Sequence, residues 1–251
     1  MRVAFVGKGG VGKSSIAGTF ARILSASGQP VLALDSDPMP GLAFSLGLPA
    51  VDAGIPDEAV EAFDRDGRPG LRLRPGLTAV DVVERYAVRA PDDVRFLQLG
   101  KARGPRWDNA PQHAAFQQVL DGLPGDRWNV VGDLPGGTRQ PFQTWGRYAR
   151  TVLVVVEPTA ASILTGRRLA RLALARSRPE VVAVATRTRD ASDAARVAEG
   201  TGLRVLGAVP FDPALADADR RGVAVLDRDP GSPYVEAVRS LVTTMTAEEC
   251  A

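Results

Sequence analysis

Residues 7–15 have the side-chain types and the spacing that phosphate chemistry requires. They read Gly-Lys-Gly-Gly-Val-Gly-Lys-Ser-Ser, and the part from Gly7 to Ser14 matches the phosphate-loop pattern G-x-x-x-x-G-K-[ST]. In that pattern the glycines let backbone N–H groups approach a phosphate, Lys13 contacts the β- and γ-phosphates, and the Ser14 hydroxyl ligates Mg²⁺. Ser15 follows in position to contact the α-phosphate. The predicted nucleotide-binding loop comprises Gly7, Lys8, Gly9, Gly10, Val11, Gly12, Lys13, Ser14 and Ser15.

A second lysine in this loop, Lys8, is a feature that an ordinary phosphate loop does not need. The chain has three lysines, Lys8, Lys13 and Lys101, and arginine supplies nearly all the remaining positive charge. A compact, strongly hydrated ammonium is suited to meet phosphate. We therefore expect both Lys8 and Lys13 to act on the bound nucleotide.

Two aspartates follow apolar runs, where the ligands of a parallel sheet are expected. Asp37 comes shortly after residues 30–34, and Asp133 directly follows residues 128–132. Because ligands bind at the carboxyl ends of parallel strands, both carboxylates are predicted to face the phosphate loop. Asp133 is suited to hold Mg²⁺, directly or through water, and Asp37 to orient or deprotonate the attacking water. The alternatives are a helix N-cap for Asp37 and a turn residue for Asp133.

The elements that would position these residues alternate between strands and helices along nearly the whole chain. This alternation predicts an α/β fold with a doubly wound, mostly parallel sheet and helices on both faces. The whole chain, 1–251, is predicted to form a single domain, with an irregular insertion at about 50–75 that is rich in Gly, Pro, Asp and Arg. The predicted strands are 3–6, 30–34, 94–99, 128–132, 151–156, 181–185 and 204–209, and the predicted helices are 13–27, 112–123, 160–177, 192–200, 213–221 and 232–246.

Composition argues against several other classes of protein. Hydrophobic residues make up 45% and charged residues 24% of the chain, which is ordinary for a globular protein. The net charge of +2 is too small to indicate a nucleic-acid partner. The single cysteine, Cys250, cannot form an intrachain disulfide. No signal peptide or membrane span is evident, so a cytoplasmic location is expected.

The loop Lys8–Ser15 resembles that of the deviant Walker A ATPases, a class that includes the MinD and ParA positioning proteins and the CooC-type maturation ATPases. Asp35-Ser36-Asp37-Pro38 is similar to the first switch of that class, and Asp133-Leu134-Pro135-Gly136-Gly137 to the second. The resemblance implies ATP and Mg²⁺ as cofactors, Asp37 as the residue that assists the attacking water, and a homodimer formed on ATP binding. It also implies that Lys8 crosses the dimer interface to the partner subunit's nucleotide. By the same resemblance, Pro210, Phe211 and Asp212 border the base.

Among the branches of that class, the CooC type is the most similar, but two departures matter. Where that branch has Cys-x-Cys-Pro, this sequence reads Asp108-Asn109-Ala110-Pro111, so a thiolate site cannot form there. Asp108 and the lone histidine, His113, are too few ligands to indicate a metal site. Where the class often has an adenine-reading asparagine, this chain has Thr186-Arg187, and Arg187 is expected to stack on the base instead.

Three functions fit these residues. The first is an accessory or maturation ATPase, slow alone, that acts as a dimeric switch on an unidentified partner protein. The second is a positioning ATPase, but the apolar side of the last helix, at Val235, Val238, Leu241, Val242 and Met245, is better suited to packing than to lipid. The arginines at 167–178 more often form a solvated helix face than a DNA grip. The third is a nucleotide sensor with negligible hydrolysis.

Overall fold

The central feature of the computed structural model is an eight-stranded sheet with helices on both faces. The structure describes residues 1–37, 41–51, 54–100, 110–137, 145–174 and 180–249. The strands of these residues are β1 Arg2–Gly7, β2 Val31–Asp35, β3 Val60–Arg65, β4 Arg68–Leu73, β5 Val88–Arg89, β6 Arg95–Gln98, β7 Asn129–Asp133, β8 Thr151–Val156, β9 Glu180–Thr188 and β10 Val205–Pro210. The helices are α1 Lys13–Ala26, α2 Leu42–Ser45, α3 Ala79–Tyr86, α4 Ala110–Gly122, α5 Ala160–Leu174, α6 Ala191–Thr201, α7 Pro213–Arg221, α8 Val225–Arg228 and α9 Pro233–Glu249.

The strand order of the large sheet is β10-β9-β8-β1-β7-β2-β6-β5. All neighbouring strands are parallel except β5, which pairs with β6 in the antiparallel sense. On one side of β1 lie β7, β2, β6 and β5, and on the other side lie β8, β9 and β10, so the chain crosses β1 between the two halves of the sheet, as in a doubly wound fold. The predicted fold class is therefore confirmed.

Alternating side chains of the buried strands build two apolar layers. Val3 and Phe5 face the layer that contains α1 and α9, whereas Ala4 and Val6 face the layer that contains α3, α4 and α5. Because successive strand residues point to opposite faces, β1 contributes to both cores. This double burial fixes β1, and with it the loop that follows, at the centre of the sheet.

The prediction that residues 50–75 are irregular is wrong for the part that forms a hairpin. Strands β3 and β4 pair antiparallel, with Arg65 opposite Arg68. Asp66 and Gly67 join them with φ values of 55° and 75°. Asp-Gly is a strong signal for a two-residue hairpin turn, because both central residues must adopt positive φ. The turn signal was present in the sequence, but the many charged residues obscured the strands beside it.

Other differences from the predicted elements are smaller. Helix α3 was not predicted, although Thr78 and Asp81 form a reciprocal capping box at its start. Strand β9 runs to Thr188 rather than to 185, because pairing with β10 continues to the contact of Thr188 with Pro210. Residues 175–177 of the predicted helix 160–177 lie outside the described part of the chain.

The last helix, α9, packs against the domain as its apolar pattern predicted. Val235, Val238, Leu241, Val242 and Met245 are all buried. No helix in the described ranges has the length and hydrophobicity of a membrane span.

Candidate functional site

The phosphate-loop sequence lies between the central strand β1 and helix α1. Gly12 precedes α1 with φ 91°, in the left-handed region that favours glycine. At Gly7 a β-carbon would lie 2.5 Å from the carbonyl oxygen of Val155 on the neighbouring β8, so only glycine allows this approach. The two glycines therefore hold the loop against the sheet and start the helix, whose N-terminus attracts anions.

The two loop lysines have different environments. Lys13 is 7% exposed, and its ammonium group donates to the Lys8 carbonyl oxygen across 3.5 Å. Lys8 itself is exposed on the rim of the loop. Lys13 therefore points over its own loop, as phosphate binding in this subunit requires, whereas the Lys8 side chain is accessible from outside.

Ser14 and Asp133 form the link between the loop and the end of β7. The Ser14 hydroxyl donates to Oδ2 of Asp133, while Oδ1 of Asp133 is buried and has no hydrogen-bond partner among the residues that the structure describes. Burial, followed by the Asp35 carboxylate, raises the pKa of Asp133 to about 8. A buried carboxylate with an unpaired oxygen beside a hydroxyl suits Mg²⁺. This ion prefers oxygen ligands and usually takes only one or two of them from the protein. The residues present therefore fit that ion.

Asp35 is a buried acid whose structural role the sequence did not reveal. It lies directly opposite Asp133 in the pairing of β2 with β7. Its Oδ1 accepts the Asp37 N–H at 3.0 Å, and its Oδ2 accepts the Leu42 N–H at 3.1 Å. Burial raises the pKa of Asp35 to about 6 in spite of these two bonds. The carboxylate thus anchors both ends of the segment that carries Asp37.

The two predicted switch segments contact each other, and the second also touches the phosphate loop. Asp37 follows the end of β2, and Ser36 beside it donates from its N–H and its hydroxyl to the Asp133 carbonyl oxygen at 3.1 and 3.0 Å. A β-carbon on Gly136 would lie 3.2 Å from the Gly9 nitrogen, so the segment after β7 touches the loop backbone. Pro38 lies outside the described residues.

A cavity of about 410 Å³ opens beside the phosphate loop. All the residues predicted to border the base line it together with the second half of the loop. The lining comprises Gly10, Val11, Gly12, Lys13, Ser14, Ser15, Thr186, Arg187, Pro210, Phe211, Asp212, Leu215, Ala216, Asp219 and Tyr234. The volume falls within the range of small-molecule sites.

Two of the predicted base-contacting side chains are engaged by the protein itself. Asp212 caps α7, with its oxygens accepting the N–H groups of Ala214 at 2.9 Å and Tyr234 at 3.0 Å. Arg187 has φ 53°, and its guanidinium donates to Glu157 at 2.5 Å and to the Gly10 carbonyl oxygen at 3.0 Å. Arg187 therefore stabilises the phosphate loop by holding Gly10. The expectation that Arg187 stacks on the base did not include this contact.

Sequence reasoning missed several cavity residues. Leu215, Ala216 and Asp219 lie on one face of α7, and helical spacing provided a signal for them. Thr186 is buried near the end of β9, at the position compared above with the adenine-reading asparagine. Tyr234 is buried at the start of α9, and no local pattern distinguished it from core residues.

Of the two residues considered for a transition-metal site, the structure describes only His113. The His113 ring packs edge-on against Trp145 with centroids 5.2 Å apart, and burial lowers the pKa of His113. No group of three metal-binding side chains occurs among the residues described. Asp108 and Cys250 lie outside them.

A doubly wound sheet with a glycine-rich phosphate loop after its central strand defines the class of P-loop nucleotide-binding proteins. Residues 3–226 match the CobQ/CobB/MinD/ParA nucleotide binding domain, and the chain belongs to this family of nucleotide-binding ATPases.

Individual relatives agree with this assignment. The chain is 27% identical over 240 residues to the carbon monoxide dehydrogenase accessory protein CooC of Rhodospirillum rubrum, covering 92% of this chain and 91% of that one. The septum site-determining protein MinD of Pyrococcus horikoshii, complexed with Mg-ADP, superposes with a TM-score of 0.74 at 18% identity, covering 99% and 98% of the two chains. A ParA family ATPase from Chlorobium tepidum gives a TM-score of 0.72 at 17% identity, with coverages of 96% and 97%. The structural likenesses support the fold.

Proposed function

We propose that this chain, as one domain, binds and hydrolyses ATP with Mg²⁺ and acts as a dimeric switch on a partner protein in the cytoplasm. The observation that carries the proposal is the Ser14–Asp133 pair, with one Asp133 oxygen open, beside Lys13 at the mouth of the cavity. The complex of the similar MinD with Mg-ADP supports the same ligands.

The residues divide the proposed chemistry among them. The loop N–H groups and Lys13 hold and neutralise the phosphates, and the cavity between Arg187 and Phe211 receives the base. Ser14 and Asp133 would hold Mg²⁺, which when bound neutralises charge on the β- and γ-phosphates. Asp37 orients the attacking water and accepts its proton, and Asp35 holds the Asp37 backbone by accepting its N–H. Gly136 brings a backbone N–H towards the γ-phosphate.

The dimeric part of the proposal depends on Lys8. Its exposed side chain at the loop rim is free to reach a second subunit. Two facing ATP molecules concentrate negative charge at one interface, and a lysine from each subunit offsets it. Dimer formation then depends on the nucleotide, so that hydrolysis releases the two subunits.

The accessory role is preferred over the positioning role for two reasons. The similarity to the accessory protein CooC extends over 92% of this chain. In addition, α9 buries its apolar side, leaving none of those residues for a membrane surface. The proposed role does not require this chain to carry a metal for its partner protein. The two cysteines of the CooC pattern are absent from the sequence.

Hydrolysis measured with and without Mg²⁺ tests the proposal. We expect slow release of phosphate that requires Mg²⁺ and is lost in Lys13→Ala. ATP binding without any hydrolysis, even at high protein concentration, would favour the sensor. ATP-dependent binding to lipid vesicles, or salt-sensitive binding to duplex DNA, would favour the positioning ATPase.

A further inference from the structure

A second groove lies next to the nucleotide cavity and shares two residues with it. Its volume is about 660 Å³, and Arg187 and Phe211 line both spaces. The groove runs from Glu157 at the end of β8 to Arg196 on α6. None of its residues belongs to the phosphate loop, so it is separate from the proposed phosphate site.

The charged groups of this groove leave an excess of unpaired cations. Glu157 is already paired with Arg187 at 2.5 Å. Asp193 accepts the backbone N–H of Arg189 at 2.8 Å. The side chains of Arg189 and Arg196 are exposed, and neither has a hydrogen-bond or ion-pair partner among the described residues. The groove therefore offers two guanidinium forks to an outside carboxylate, the geometry that arginine recognises best.

The groove also has an apolar contact point. Phe211 is 61% exposed, more than any other large hydrophobic side chain in the described ranges. Its ring lies at the junction of the groove and the nucleotide cavity. An exposed aromatic ring beside unpaired arginines is typical of the centre of a protein–protein contact. The Glu157 and Asp193 carboxylates in the same groove would repel the phosphates of a nucleic-acid backbone.

We propose that this groove binds an acidic segment of the partner protein, with carboxylates on Arg189 and Arg196 and an apolar side chain on Phe211. This inference names the chemistry of the partner and rests on the proposed function only for its link to the nucleotide.

That link runs through Arg187. Its guanidinium joins Glu157 in the groove to the Gly10 carbonyl oxygen in the phosphate loop. A carboxylate that enters the groove competes with Glu157 for Arg187 and alters its hold on Gly10. Occupation of the groove and nucleotide affinity are therefore coupled, and the coupling is reciprocal.

A defined peptide tests the groove. The probe is a fluorescein-labelled peptide in which glutamates flank a central leucine, and fluorescence anisotropy gives its Kd. We expect Arg189→Glu with Arg196→Glu to weaken binding about tenfold or more. The matched control is Arg168→Glu with Arg171→Glu, the same charge change on the exposed face of α5, which should weaken binding less than about twofold. Replacing the leucine by serine should also weaken binding.

Three results would overturn the inference: equal weakening by both pairs of variants, tighter binding of a single-stranded oligonucleotide of equal charge, or no peptide binding at all. For the coupling, saturating peptide should change the Kd of a fluorescent ATP analogue about fivefold or more, and Arg187→Lys should reduce that factor. An unchanged Kd would show that peptide binding in the groove and nucleotide binding are not coupled. Binding of the ATP analogue without peptide reports on the proposed function separately, so the two failures are distinguishable.

Discussion

The hydroxyl of Ser14 donates a hydrogen bond to the carboxylate of Asp133, which joins the phosphate loop to the end of the adjacent strand. The other Asp133 oxygen is buried and has no hydrogen-bond partner in the described part of the chain. A folded protein rarely leaves such an atom unsatisfied, because an unpaired buried acceptor costs about 1–3 kcal/mol. The unpaired oxygen therefore destabilises the folded protein, and a bound cation would remove this destabilisation.

Without Mg²⁺ and nucleotide, Asp133→Asn should stabilise the protein at alkaline pH. The pKa of Asp133 is about 8 in the folded chain, against about 4 for an unfolded aspartate. The folded state therefore binds the proton more tightly, and the free energy of unfolding falls as pH rises from about 4 to about 8. Thermal unfolding in EDTA should show a higher Tm for the variant at pH 8, and the difference should shrink as the pH is lowered towards 4. A lower Tm of the variant at pH 8 would contradict the buried, unpaired carboxylate.

Asp37→Ala should retain ATP binding and lose hydrolysis. Removal of a general base costs about 100-fold or more in rate, whereas Asp37 is not expected to hold the nucleotide. Single-turnover hydrolysis and ATP affinity should be measured together. The exposed Asp126→Ala is the matched control. Normal hydrolysis in Asp37→Ala would show that another group orients the water.

Lys8→Ala should retain ATP binding but abolish the ATP-dependent formation of a dimer. The variant keeps Lys13 and the loop backbone, so it should bind ATP within about threefold of the wild-type affinity. Light scattering with ATP should give twice 26.5 kDa for the Asp37→Ala protein, and 26.5 kDa when Lys8→Ala is added. An unchanged dimer after loss of Lys8 would remove its role across the interface.

Gly18→Ala should destabilise the protein despite the higher helix propensity of alanine. A β-carbon at Gly18 would lie 2.5 Å from the Ser45 β-carbon and 2.9 Å from its carbonyl carbon, because α2 packs directly on α1. Propensity alone favours alanine by about 1 kcal/mol, and overpacking costs about 1–3 kcal/mol. Urea unfolding should show a net loss of stability, and a gain would mean that α2 moves aside easily.

Local sequence signals predicted the central part of the molecule well. The apolar run before Gly7 and the glycine pattern after it define β1 and its loop without tertiary information, because both depend on neighbouring residues. Asp133 was placed at the strand end for the same reason. The buried role of Asp35 was not predictable in this way, since it depends on the register of β2 against β7.

Two further features were not predictable from the sequence: the contact of Arg187 with the phosphate loop and the position of Tyr234 in the cavity wall. Arg187 contacts Gly10, which is distant in the chain. Tyr234 lines the cavity because α9 packs against α1 and because the Tyr234 N–H donates to Asp212, the N-cap of α7. The hairpin of β3 and β4, in contrast, has a local signal in the turn residues Asp66 and Gly67.

We propose that this cavity binds ATP through Lys13 with the help of Mg²⁺. Isothermal titration with ATP tests it most directly, comparing the wild type, Lys13→Ala and the exposed control Arg85→Ala, each with Mg²⁺ and with EDTA. We predict that the wild type and Arg85→Ala bind alike, that EDTA weakens their binding, and that Lys13→Ala binds about 30-fold more weakly or worse. ATP binding by Lys13→Ala with wild-type affinity would contradict the account.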